Sequence, residues 1–185
     1  MKLDLDKYYK DYKNLILSDD NINKIHESSE LLKILRANGN KAIIVGNGAS
    51  SSIASHGSVD LTKQAKVKSI NFNEANLLTA FSNDYGFENC FSKAYDFYSE
   101  EGDIVIAVSV SGESKNVINI CKEAKKDGNK IITFSGKLPT NELRSLGDIN
   151  FWVDSAAYNI VECIHMIWLT SIVDNIIGKA EYDVS

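Results

Sequence analysis

The residue pattern implies a three-layer α/β/α fold, a doubly wound five-stranded parallel sheet preceded by an N-terminal helical arm. Three observations carry this. Five short runs rich in branched apolar residues recur after residue 40, helix-length amphipathic segments separate them, and the two most Gly/Ser-rich loops follow the first and third runs. The 185 residues, 44% of them hydrophobic, are enough for one domain with a substantial core, and no composition shift divides them. A single domain over 1–185 is therefore expected, with an arm over 1–38 and the α/β sandwich over 39–185.

Taken in order, Leu5, Tyr8, Tyr12, Leu15 and Ile16, then Ile22, Ile25, Leu31, Leu32, Ile34 and Leu35, fall at helical spacing. The break at "SDDN" offers Ser18 or Asp19 as the cap of a second helix. A turn at 38–40 closes the arm, and the hydrophobic period then changes. Strands are expected at "KAIIVG" (41–46), "VKSINF" (67–72), "DIVIAVS" (103–109), "KIITFSG" (130–136) and "INFWVD" (149–154). Helices are expected at 50–65, 74–82, 87–99, 114–127, near 140–146 and at 157–177. Pro139 falls in the loop after the fourth strand, where its missing N–H disturbs no ladder.

A net charge of −5 without a basic cluster argues against nucleic-acid binding. Cys90, Cys121 and Cys163 are odd in number and lack CxxC spacing, which suggests reduced thiols rather than a disulfide framework or a cysteine zinc site. The charged start "MKLDLDKYYKDYKNLILSDD" has no signal-peptide core, and no run reaches the roughly 18 uninterrupted apolar residues of a membrane span. A cytoplasmic protein without membrane attachment is the expectation.

If the strand order is flavodoxin-like, the loops "GNGASSS" (46–52) and "SVSGES" (109–114) flank one crevice at the carboxyl ends of the strands. Glycines free the backbone N–H groups, the following helices present positive ends, and serine hydroxyls add donors, a combination suited to phosphate. Neither loop carries a lysine, and no GxxxxGK[ST] is present, which disfavours a nucleoside triphosphate. Ser51 stands where a GxGxxG fingerprint would end in glycine, so a dinucleotide is the weaker reading. The structural alternative is that Ser50 and Ser114 are N-caps, Gly46, Gly48 and Gly112 are turn residues, and none meets a ligand.

These residues resemble the sugar isomerase (SIS) domain and, within it, the phosphoheptose isomerase family, which converts sedoheptulose 7-phosphate to the aldoheptose phosphate used for surface polysaccharides. The likeness runs through the helical arm, "VGNGAS", "SNDYGFENCFSKA", "GDIVIAVSVSGESKNVINICKEAKKDGNKIITFSGK" and "LGDINFWV". The resemblance implies a phosphorylated sugar held by Ser50, Ser109, Ser111 and Ser114 beside Asn47, with Asp84 near the sugar hydroxyls. It sets His56 at a metal-binding histidine and Asp60 at a glutamate acting as general base. A homotetramer, or a homodimer, with sites near subunit interfaces is also implied.

The last helix departs from the family pattern Gln-Glu-x-His-x-x-x-x-His. In "VECIHMIWLT" (161–170), one register puts Val161 at the glutamine and Leu169 at the final histidine; the other puts Glu162 at the glutamine, His165 at the middle histidine and Thr170 at the last. A substitute zinc shell of His56, Asp60, Glu162 and His165 can be drawn, with His165 as a further catalytic candidate. The alternative leaves His165 packed in the core, with no metal. Glu113 either meets a sugar hydroxyl or favours a helix start, and His26 in the arm has no site context. An isomerase is the leading expectation. A phosphosugar-binding SIS protein that regulates or scaffolds without catalysis is its rival.

Overall fold

The computed structural model describes residues 3–181. The chain runs α1 (Leu5–Ile16), α2 (Asp19–Asn38), β1 (Ala42–Gly46), α3 (Ala49–Lys63), β2 (Ser69–Asn71) and α4 (Ala75–Tyr85). A 3-10 turn (Phe87–Asn89) leads into α5 (Cys90–Tyr98), followed by β3 (Ile104–Ser109), α6 (Lys115–Lys126), β4 (Lys130–Ser135), α7 (Glu142–Leu146), β5 (Ile149–Trp152) and α8 (Tyr158–Ile177). The five strands are parallel in the order β2-β1-β3-β4-β5, the flavodoxin-like order.

Alternation along the strands builds a core on each face of the sheet. Ile44, Ile106, Val108, Ile132 and Phe134 face α2, α3 and α8, while Ile43, Val45, Val105, Ala107 and Ile131 face α4, α5, α6 and α7. Helix α8 lies against both α2 and α3 and contributes Ile160, Val161, Ile164, Trp168, Leu169 and Ile172 to the first core. It is long and apolar enough by length and composition to cross a membrane, but half of that stretch is buried in the fold, as a central helix requires.

The expected arm is not a separate appendage. Leu32 and Leu35 of α2 are buried in the first core, and the Ser29 hydroxyl, bonded to Ile25 O at 2.7 Å, lies 3.3 Å from Ile172 O of α8. Helix α1 packs on the same core through Tyr8, Tyr12, Leu15 and Ile16, and Trp168 Nε1 donates to Ile16 O at 3.1 Å. Ser18, rather than Asp19, is the α2 cap, accepting from Asn21 N at 3.1 Å. At the opposite end of the sheet from the Gly/Ser loops, the fully buried Asp103 carboxylate accepts from Lys41 N and Glu100 N, each at 2.9 Å, and pairs with Lys41 Nζ at 2.7 Å. That staple ties the start of β1 to the start of β3.

Candidate functional site

The β1–α3 and β3–α6 loops leave the carboxyl ends of adjacent strands and enclose a cleft of 250 Å³. Asn47, Gly48, Ala49 and Ser50 form one wall, and Ser109, Val110, Ser111 and Ser114 another. The first turns of α8 close it with Tyr158 and Glu162.

Why these loops fold as they do is largely steric. Gly48 at φ +57° and Gly112 at φ +67° occupy a backbone region that penalises other L-residues. A Cβ on Gly112 would also run into the Asn141 side chain, and one on Gly46 would sit 2.6 Å from Ser50 O. The β3–α6 loop is then laced by its serines: Ser109 Oγ accepts from Gly112 N and bonds Ser114 Oγ, both at 3.2 Å, while Ser111 Oγ accepts from Glu113 N at 3.2 Å. The Ser111 hydroxyl has only a long 3.5 Å contact with Ser109 Oγ for its proton, which a ligand oxygen in the cleft can replace. Asn47 is locked by a reciprocal amide pair with buried Asn116 at 2.8 and 2.9 Å, which leaves one Asn47 N–H for a ligand.

The cleft also gathers unsatisfied helix ends. Helices α1, α2, α4 and α7 have side-chain caps from Asp4, Ser18, Glu74 and Asn141. The helices that start at the cleft, α3, α6 and α8, have none, and neither does α5, which continues from the 3-10 turn. Ser114 occupies the N-cap position of α6, but its hydroxyl meets Ser109 instead of the helix, and Ser50 lies inside α3. The capping explanation of these serines therefore fails. Three free N-terminal ends plus serine hydroxyls make a neutral, donor-rich cradle for an anion.

Other expected residues are placed elsewhere. His56 Nε2 and Asp60 Oδ2 do meet, at 3.1 Å, as their i, i+4 spacing requires, but neither lines the cleft. Asp60 is ten residues beyond Ser50, roughly 15 Å along the helix. It lies near Asp174 on the far part of α8, whose carboxyl is pushed above its usual range first by burial and then by the Asp60 charge. Asp84 is exposed at the end of α4, accepting from Asn83 Nδ2, and does not reach the cleft. Glu113 Oε1 accepts from Glu142 N at 3.0 Å, so it serves the start of α7.

His165 requires a correction. It is fully buried, with Nε2 3.0 Å from Ser135 O and its ring edge-on to Phe134, and burial lowers its pKa to about 4. A neutral imidazole inside the core neither ligates with His56 nor serves as a catalytic acid. Among the described residues, no group of three or more His, Cys, Asp or Glu is placed to hold a metal. The zinc shell of His56, Asp60, Glu162 and His165 is not assembled, because Glu162 opens onto the cleft while His165 points into the core. The donor set does not fit zinc. Leu169 is buried against Gly57, and the Thr170 hydroxyl back-bonds to Met166 O and Ile167 O, so neither register restores a final-helix acid.

Residue reading missed Tyr158 and Lys137, and it gave Glu162 only a metal role. Tyr158 and Glu162 stand four apart at the start of a helix that follows the carboxyl end of a strand, a placement visible in principle from the predicted elements. Lys137 Nζ donates to Tyr158 Oη at 3.0 Å and lies 4.3 Å from the ring centre. Its backbone sits at φ +55°, unusual for a lysine.

Fold and cleft together define a doubly wound α/β protein with a donor-rich cleft at the topological switch point of its sheet. The chain belongs to the SIS domain family, whose model matches residues 7–136. It is 33% identical over 174 residues to the phosphoheptose isomerase of Sulfurimonas denitrificans, covering 90% of this chain and 88% of that one. The phosphoheptose isomerase of Campylobacter concisus is 33% identical over 141 residues, covering 73% and 74%. Among solved structures, that of phosphoheptose isomerase from Neisseria gonorrhoeae superposes with a TM-score of 0.78 at 26% identity, covering 84% of this chain and 86% of that one.

Proposed function

We propose that the cleft binds the phosphate of an open-chain sugar phosphate through Ser50, Ser109, Ser111, Ser114 and Asn47. The chain is a phosphosugar isomerase resembling the sedoheptulose 7-phosphate isomerases, interconverting a ketose phosphate and its aldose. The observation that carries this reading is the convergence of the serine hydroxyls and three uncapped helix N-termini on one cleft at the switch point. Such a cradle carries no formal charge of its own and stabilises a dianion through oriented N–H and O–H donors.

Within the same reading, residues 1–185 act as one SIS domain, the product feeds a lipopolysaccharide or capsule heptose, and the protein is a cytoplasmic homotetramer or homodimer. Free thiols at Cys90, Cys121 and Cys163 suit a reducing compartment. Exposed Val59 and Ile167, together with Leu5 and Tyr9 of α1, provide apolar surface for subunit contact.

One observation favours a second reading, a phosphosugar-binding protein without catalysis: His165 is sealed in the core and no histidine takes the place of the final-helix acid. Incubation of the purified chain with sedoheptulose 7-phosphate, followed by NMR, separates the two. Conversion to the aldose is expected. Saturable thermal stabilisation by the sugar phosphate with no conversion would establish the binding protein instead.

A further inference from the structure

We infer that Glu162, rather than Asp60, is the base that moves the carbon-bound proton, and that Tyr158, set by Lys137, serves the sugar oxygens; this rests on the isomerase reading above. Isomerisation through an enediol requires a general base facing the reacting carbons, a role a carboxylate can fill, and a proton donor facing their oxygens. Among the described residues, Glu162 is the carboxylate that lines the cleft. Its charge repels a phosphate, so the phosphate seats against the serines and the sugar chain runs toward α8. Asp60 lies outside the cleft, engaged with His56.

Tyr158 precedes Glu162 by four residues and so shares its helix face. The Lys137 ammonium donates to Tyr158 Oη, which leaves the phenolic proton free to point at the substrate. The backbone of Lys137, at positive φ and with its N–H donating to Ser155 O at 2.9 Å, carries the side chain whose ammonium meets Tyr158. Lys137 is thus a positioning residue, acting through Tyr158.

The step balances. Glu162 takes the C1 proton of the ketose, the C–H electrons form the C1=C2 bond, and the carbonyl oxygen on C2 takes the Tyr158 proton. The phenolate, neutralised by Lys137, then removes the proton from the C1 oxygen. As C1=O forms, the enediol π electrons return to C2, which receives the proton held by Glu162. Both groups end as they began, and no other reactant is consumed.

Deuterium incorporation from D₂O into sedoheptulose 7-phosphate reads the base directly, with inorganic phosphate as the binding probe. Wild-type chain is expected to incorporate carbon-bound deuterium. Glu162→Gln is expected to lose at least about 100-fold in that rate while phosphate raises its Tm at least as much as in wild type, the repelling charge being gone. Tyr158→Phe is expected to slow turnover about 10- to 100-fold. Lys137→Met is expected to match it and add nothing in the double variant, whereas Lys137→Arg restores most of the rate. Glu162→Gln exchanging at the wild-type rate, above all with Asp60→Asn inactive, would overturn the assignment and leave the isomerase standing. A wild-type chain that binds the sugar phosphate but incorporates no deuterium would overturn the isomerase reading, and this assignment with it.

Discussion

Lowering the pH from 7 to 5 should cost the protein about 2 kcal/mol of stability through His165 alone. Burial lowers the His165 pKa to about 4, partly offset by the bond to Ser135 O, whereas an unfolded chain titrates at roughly 6.5. The folded pKa is depressed, so stability is full above the unfolded pKa and is lost as pH falls toward the folded one. At pH 5 the unfolded imidazole is almost fully protonated and the folded one hardly at all, a ratio of about 30, or about 2 kcal/mol. The comparison is His165→Phe. Phenylalanine suits the edge-on contact with Phe134 and the tilted one with Trp168, removes an Nδ1 that has no partner, and leaves Ser135 O its bond from Val153 N at 2.9 Å. Urea unfolding at the two pH values should show a difference about 2 kcal/mol larger for wild type, because every other ionisable group is common to the two proteins and its contribution cancels. Equal differences would refute the buried, neutral His165. If His165 has no part in the chemistry, the variant should also keep its turnover.

Other outcomes follow from the same geometry. Ser111→Ala should weaken sugar phosphate binding about 10- to 100-fold, the loss of one hydrogen bond to a charged group, as read from ligand-induced thermal shifts. Gly112→Ala should destabilise by about 2–4 kcal/mol in denaturant titration, since the added methyl meets both a positive φ and the Asn141 side chain. Asp103→Ala should cost about 3 kcal/mol, because it orphans two backbone N–H groups and leaves the Lys41 ammonium at the foot of β1 and β3 with only its longer contact to Glu100. That loss should leave phosphate binding intact, the staple being at the other end of the sheet.

The layers were legible because each strand is a short branched run and each helix a longer amphipathic one, and the observed strand order brings "GNGASSS" and "SVSGES" to one crevice. The far side of the cleft was not. Helix α8 lies in the core against α2 and α3, so its apolar residues surround most of its circumference and its pattern carries little angular information. Whether Glu162 or His165 faces the cleft depends on how α8 is rotated, and packing of Val161 against Gly136 and Leu169 against Gly57 sets that rotation. The i, i+4 spacing of His56 and Asp60 correctly implied that they touch, but gave no sign that their face turns away from the serines. Tyr158 gains its place from Lys137, 21 residues earlier, a contact that no local pattern announces.

A crystal structure with sedoheptulose 7-phosphate tests the account most directly. The phosphate is predicted within hydrogen-bond reach of Ser50, Ser109, Ser111 and Ser114, with the sugar chain directed toward Glu162 and Tyr158. A phosphate bound anywhere other than between the β1–α3 and β3–α6 loops would contradict it.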